Sequence, residues 1–549
     1  MHLAPSTAWV WLIACAVIIL FFPLAAQFGN LKGKLSSFRT WVWAIALLGI
    51  VTAGFMPFTF DTDITYFEVQ PFIFFITGTL LGVLFLGEFH RLSALDRQEH
   101  TQRVHAERRT RYSKAVEHLA YPNPAVRASA ISTLAGLVDE WLADEQLSVE
   151  ARQKEGQVIV NALCAYVRSP FVRAFKAEAF ESDTPPANYA GDFATDLAAF
   201  RGEQDVRRSL FVEMSKRSST LTENEKGEVA VVPGAWSGFE FDFSRAVVFY
   251  PLDGLTIENA DFSAAKFCNG SDFSGTAFVG TVDFSRATFG EIAGFSDATF
   301  AGDANFTHAT FTHNADFGGA SFVQSAHFDG VKFMQNAHFG GVKFTQNTNF
   351  SGAAFIQNAS FGGANFARNA DFSWAIFTQN AHFIGAVFSQ TADFSGATFT
   401  QNARFSETAF AQVARFKWVT FTQTADFSEA AFAQGADFSE ATFEADAEFY
   451  GASFGQTANF CDVSFVKSPP VFAVEDADSG EMRRARFATP STGQEAHNFA
   501  VYEGSQPIPL GAAGLNGVGY RIPVGTVLFD PASWDERQKK YTRLSEPAQ

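Results

Sequence analysis

Cysteine is scarce in this 549-residue chain, and the four present, Cys15, Cys164, Cys268 and Cys461, form no CxxC or paired spacing. That excludes a disulfide framework and gives no sign of a zinc site, and it fits a reducing compartment. Charge is thin as well, at 18% of residues, and what there is leans acidic, with a net of −18. Basic stretches interleaved with aromatics, the footprint of a nucleic-acid interface, are missing. So are a phosphate-binding loop, a Ser-His-Asp set and a carboxylate pair. The glycines at 511, 514, 517 and 519 have no strand-then-helix context, and Pro523 follows them. No catalytic, cofactor-binding or metal-ligating residue is nominated, no small-molecule substrate is implied, and the chain reads as a non-enzyme.

What the chain has in excess is phenylalanine, 65 residues in all. From Phe262 to Phe465 they fall at steps that alternate five and six without exception, giving 38 phenylalanines over 203 residues. Two positions before each sits a small or short β-branched residue, alanine in 29 of the 38 cases and otherwise Ser, Thr or Val, as at Thr348 and Val419. A fixed period means stacked units sharing one core. Eleven residues also suit a helix, but a helix needs apolar steps of three and four, and the Gly, Ser, Thr and Asn content opposes it. A flat coil of eleven residues would force two rings into a lumen that holds only small side chains. A square coil remains: four short sides, 22 residues, four inward rings, and about nine coils stacked about 4.8 Å apart into a rod on the order of 45 Å long.

The unit Ala-(Asp/Asn)-Phe-x-x, clearest in the run from Ala392 to Asn402, resembles the pentapeptide-repeat proteins over about Gly238 to Val466. The resemblance implies a right-handed quadrilateral β-helix with the Phe and the small residue two before it both facing inward. This chain departs from a uniform five-residue step at every second unit, where an extra residue such as Asn380 or Asn402 is expected to bulge at a corner.

Three apolar segments open the chain, Ala8 to Phe28, Trp41 to Phe60 and Val69 to Gly87, each long enough to span a bilayer. Lys32, Lys34 and Arg39 lie between the first two, only acidic residues between the second and third, and Arg91, Arg97, Arg103, Arg108, Arg109 and Arg111 follow. The positive-inside rule then predicts three transmembrane helices with the N-terminus outside and everything beyond residue 90 in the cytoplasm. A basic helix over Arg91 to Lys114 would lie against anionic headgroups. Amphipathic helices are expected over Tyr112 to Leu119, Pro124 to Trp141, Val158 to Arg168 and Gln204 to Lys216. The run from Pro124 is similar to half of a HEAT-type helix pair, and Arg111 to Arg168 resembles the helical region before the repeats in bacterial membrane pentapeptide-repeat proteins.

The expected organisation is a membrane domain (1–90), a cytoplasmic helical region (91–217), a linker (218–235), the repeat β-helix (236–466) and a C-terminal cap and tail (467–549) ending in a helix-like Pro531 to Tyr541. Outward columns along the rod carry Asp261, Asp283, Asp371, Asp393 and Asp437 on one face and Asp272, Asp316, Asp426 and Glu448 on the opposite one. They are interrupted by His327, Arg415, His338, His382 and Arg404. His338 and His382 stand two coils apart, about 10 Å, too far for one metal ion. A column of Gln at 335, 346, 357, 379, 390, 401, 412, 423 and 434 suits hydrogen-bonded corner ladders. The predicted function is a scaffold tethered to the lipid bilayer of the cell membrane, presenting the rod to a cytoplasmic protein. The alternative that the resemblance implies is a DNA mimic that binds gyrase. Nucleic acid itself is not expected as a partner, and oligomeric state has no signature.

Overall fold

The computed structural model describes residues 63–224, 229–268, 272–477, 480–490, 497–538 and 540–549. The chain divides into two compact units, residues 1–111 and 112–549. In the first, the described residues form most of one 57-residue helix, α1 (Asp63–Leu119). Two of the three expected spans, Ala8 to Phe28 and Trp41 to Phe60, lie outside the described residues. The third, Val69 to Gly87, is no separate element: it runs unbroken into the charged half of α1. Among the described residues no single helix is long and apolar enough to cross a membrane, which corrects the expectation of three transmembrane helices. The inside–outside assignment rested on those spans.

The second unit begins with a helical layer: the end of α1, then α2 (Pro124–Leu142), α3 (Val149–Arg168), a 3-10 helix (Val172–Phe180) and α4 (Phe193–Ser215). Two of these helices start well before the expected positions, because their first turns are polar and show only as caps. Ser148 accepts from the Ala151 amide at 3.2 Å, and Asp192 accepts from the Thr195 amide at 3.2 Å and its hydroxyl at 2.6 Å. Pro124 occupies the first turn of α2, where its missing N–H costs nothing. Ile131, Leu134, Leu137 and Val138 of α2 meet Ile159, Val160 and Leu163 of α3 and Leu210, Phe211 and Met214 of α4 in one buried cluster.

The repeats form the expected four-sided solenoid. Strands two residues long stack in parallel on four faces, in sheets of eleven, eleven, eight and twelve strands. Each regular strand pairs with its counterpart one full coil further on, Phe355 with Phe377 and Ala370 with Ala392. The small residue and the phenylalanine are both buried, as at Ala392 and Phe394. Successive rings in a column stack nearly parallel: Phe361 lies 4.9 Å from both Phe339 and Phe383, at 4° and 3°. Rings from adjoining columns meet edge to face, as Phe361 does with Phe350 at 5.4 Å.

The two kinds of corner differ. After the first Phe of each unit the chain makes a four-residue turn, closed by bonds such as Ala397 N–H to Phe394 O at 3.0 Å. The residue third in that turn has positive φ at every eleventh position from Ala264 to Asp462. Glycine fills nine of these positions, including Gly385 and Gly396, while Arg286, Trp374, Glu407 and Trp418 are among the others. After the second Phe comes the longer corner, where the extra residue of each unit sits. There the hydrogen-bonded ladder is built by asparagine, Asn336, Asn358, Asn380 and Asn402 each donating to the Asn one coil earlier at 3.2–3.4 Å. Glutamine, expected in that role, precedes the asparagine in the chain and takes no such bond among the described residues.

Both ends of the solenoid are covered, and its core continues into the covers. At the N-terminal end Phe211 of α4 packs on Phe243 at 4.8 Å. Gln157 of α3 donates to Glu240 O at 2.8 Å and accepts from Glu240 N–H at 3.1 Å. Gln204 donates to Phe249 O and Arg208 to Pro251 O. Side chains thus satisfy the backbone edge that the first coil would otherwise expose. The polar stretch expected as a linker carries an antiparallel pair, Thr220–Glu223 with Val229–Val232. At the other end Phe472, Phe487 and Phe499 extend three ring columns beyond Phe465, stacking on Phe449, Phe454 and Phe460. Strand Val527–Phe529 is the last rung, and Ser545 bonds both N–H and C=O of Leu528. The expected terminal helix over Pro531 to Tyr541 is a short antiparallel pair, Trp534–Asp535 with Lys540–Tyr541. The glycines at 511–519 lie in a hairpin turning on Asn516 and Gly517, both at positive φ.

Two glycines separate backbone strain from packing. A methyl group on Gly385 would touch nothing, yet its φ of +65° is costly for an L-residue, so Gly385→Ala should lower stability by about 1 kcal/mol. Gly156 lies inside α3 where alanine would gain about 1 kcal/mol of helix propensity. Its Cβ, however, would stand 2.5 Å from the buried Phe239 ring. Overpacking of that kind costs about 1–3 kcal/mol, so Gly156→Ala should destabilise, and adding Phe239→Leu should restore part of the loss. Denaturant midpoints of the three variants check both expectations.

Candidate functional site

The acidic columns have a structural explanation. Asp261, Asp283, Asp371, Asp393 and Asp437 each accept, through Oδ1, the backbone N–H two residues on, at 2.7–3.0 Å. Asp272, Asp316 and Asp426 do the same on the opposite face. Asn305 and Asn349 take the same place. This is the Asx turn, which only a short side chain with an acceptor can make. The Asp/Asn preference before the first Phe of each unit is therefore a preference of the corner.

The remaining polar side chains of these columns stay apart. Arg415 approaches Asp393 at 3.4 Å, one coil away, with Arg415 exposed and Asp393 half-buried. The His338 ring packs beside Gly318 and Gly340. His382 is held below the usual histidine range by partial burial and then by Arg404. Glu448 is pushed up by burial, then by Asp426 and Asp446. No group of three or more His, Cys, Asp or Glu among the described residues could hold a metal ion. The thiols are drawn away from the reactive thiolate, Cys164 up to about 12 by burial and Cys461 upward chiefly by its contact with Asp462. A shallow depression of about 540 Å³ at the first rungs is lined by Asp242, Asn259, Asp261 and Asp283. There Asp242 is engaged by Arg168, and Asp261 and Asp283 hold their turns.

The C-terminal cover contains one group with a defined protonation requirement. His497 accepts the Ala458 N–H through Nδ1 at 3.1 Å, and its Nε2 faces Ala488 O at 2.9 Å. Accepting at one nitrogen and donating from the other needs the neutral ring. Burial accordingly holds His497 below the usual 6.5. The unfolded chain takes up the proton first, so the stability that neutral His497 contributes is complete above 6.5 and is lost as pH falls below it. The denaturation midpoint between about pH 8 and about pH 5.5 should therefore fall less steeply for His497→Leu than for the unchanged chain.

A four-sided β-solenoid with Phe and Ala columns inside and Asx turns at its corners defines a class of repeat protein whose ordered surface is lateral. Residues 284–332, 328–373, 375–418 and 419–464 match the family model described as pentapeptide repeats (9 copies), so the repeats of this chain are pentapeptide repeats. Proteins of this family are generally non-enzymatic. No curated protein and no solved structure matches the chain.

The sequence reading missed one feature. The positive-φ corner that holds Gly396 carries two large exposed aromatics, Trp374 (64% exposed) and Trp418 (48%). Neither lies in a Phe column or an Asp/Asn column. Their common signal is the turn position, legible only once the turn is known.

Proposed function

We propose that the solenoid is a non-catalytic interaction module that binds a protein partner through its lateral surface. The observation that carries this reading is the closure of both ends: Gln157, Gln204 and Arg208 bond the first edge, and Ser545 the last. Unpaired strand edges are the usual site of further β-pairing, and here they are already satisfied. What is left to a partner is a rigid side wall whose outward residues repeat in register along each face.

Gyrase-type DNA mimicry would need a nearly unbroken negative stripe. The repeats from Phe239 to Phe465 carry 23 acidic and 9 basic residues, a net of −14. That charge is sparse beside duplex DNA, with its one charge per roughly 1.7 Å of axis. Arg404 and Arg415 interrupt it further.

A photo-crosslinking residue placed in turn at Asp393, Thr398, Ser360 and Val387 samples the four faces in the central coils. Adducts with the same protein from one face or two adjacent faces are the expected outcome. Equal labelling from all four, or none, would overturn the reading. Inhibition of gyrase supercoiling, abolished by reversing Asp426, Asp437 and Glu448 to Lys, would promote the mimic instead.

A further inference from the structure

We propose that the corner bearing Trp374 and Trp418 is a binding site for a β-1,4-linked glycan lying parallel to the solenoid axis. Three atoms of the six-membered ring of Trp374 stand 2.7–2.9 Å from where a side chain at Gly396 would begin. The indole therefore lies with one face against the turn of the next coil, in a space that only glycine leaves open. At 64% exposure its other face is toward solvent. Trp418 is fixed by its neighbours: the Lys417 ammonium sits 4.2 Å from the ring centroid and meets the Glu440 carboxylate at 3.2 Å. Both tryptophans are held on rigid backbone rather than on mobile loops, so ordering them on binding costs little.

Their spacing selects the ligand. Trp374 and Trp418 occupy the same turn position two coils apart. The Phe372–Phe394 and Phe394–Phe416 stacks advance 4.9 Å and 5.0 Å, so the two platforms repeat after about 10 Å of axis. In an extended β-1,4-linked pyranose chain consecutive sugars are flipped, and every second ring presents the same face at a closely similar repeat. A pyranose offers a flat C–H face to an aromatic ring and a rim of hydroxyls to polar side chains. Beside the two platforms stand Asp393, Arg415, Thr398 and Thr420, which can meet such a rim.

The competing ligands fit less well. A protein hot spot surrounds its aromatic anchors with contacts that exclude water, whereas these two are separated by a glycine and flanked mainly by polar side chains. Stacked nucleic-acid bases would also use aromatic platforms, but they need a basic groove, and this wall is acidic.

The test uses the purified full-length chain on insoluble cellulose and on chitin, with amylose, whose α-1,4 linkage gives a coiled chain, as control. Retention on one or both β-1,4 polymers and not on amylose is expected; the two arms distinguish glucose from N-acetylglucosamine. Trp374→Gly and Trp418→Gly keep the turn, since glycine fills it in nine other units. Each should weaken retention at least tenfold, and the pair should abolish it at an unchanged melting temperature. Absence of retention on both polymers, or retention that survives the double variant, would overturn the site. So would self-association of the unchanged chain, in sedimentation without glycan binding, that the double variant removes, because the corner would then belong to a second copy.

Discussion

Phe361→Ala should lower the stability of the solenoid by about 3–5 kcal/mol, read as a shift in the denaturant midpoint. The ring is fully buried, stacked between Phe339 and Phe383 at 4.9 Å on either side, and met edge to face by Phe350 at 5.4 Å and Phe372 at 5.3 Å. Truncation removes contacts on four sides, and the neighbours cannot close the gap because each is held in its own column. Ser360→Ala, one residue earlier on the outer surface, should cost little. Equal shifts for the two would contradict the inward assignment of the Phe columns.

A loss of similar size is expected from Glu203→Gln in the helical layer. Arg207 is only 1% exposed, and its guanidinium reaches Glu203 at 2.7 Å, Val167 O at 2.6 Å and Ser169 O at 2.9 Å. It also lies 5.5 Å from the centroid of Phe249 in the first coil. Arg127 meets the other oxygen of Glu203 at 2.8 Å. Tyr166, pushed up to about 12 mainly by burial and then by Glu203, stays protonated and donates to the carboxylate at 3.1 Å. Removing the one negative charge leaves two guanidiniums facing each other in a dry site. Breaking such a group costs about 3–5 kcal/mol, whereas replacing all three charged members by apolar residues is often nearly neutral. The triple variant Arg127→Met, Glu203→Leu and Arg207→Met should therefore be more stable than Glu203→Gln. If the single change costs under about 1 kcal/mol, the group does not hold the cover to the first coil.

The regular coils were legible in the chain because one residue type repeats at one period, and the inward columns follow from that alone. The Asx turns were partly hidden: Asp261 or Asp393 reads as surface charge until the amide two residues on is seen to bond it. The first coil fell inside the expected repeat bounds, but its shape was hidden because its spacing is irregular, Phe241 pairing with Ala260 over a shorter stretch of chain than the regular coils use. The last escaped because Phe472, Phe487 and Phe499 are separated by loops of unequal length. Periodicity finds the apolar stripe of α3 but not its polar first turn, so only Ser148 marks its true start. The membrane reading relied on counting uncharged residues, and among the described residues no single helix is both long and apolar enough to cross a membrane. The Trp374 and Trp418 corner could not be read at all without the turn geometry that places every eleventh residue outward at positive φ.

The constant offset of one coil between paired strands also constrains how the gene can change. Duplication or loss of a segment encoding a whole coil would leave every remaining strand on its own face and lengthen or shorten the side wall by one rung. A change of half a coil, one eleven-residue unit, would carry everything downstream half a turn around the axis, exchanging opposite faces while keeping Phe over Phe. Any other length would set large side chains over small ones in the interior. Lineages of this chain should therefore differ in length by whole eleven-residue units within the repeats, while partner-facing residues keep a common face only where the number of units gained or lost is even.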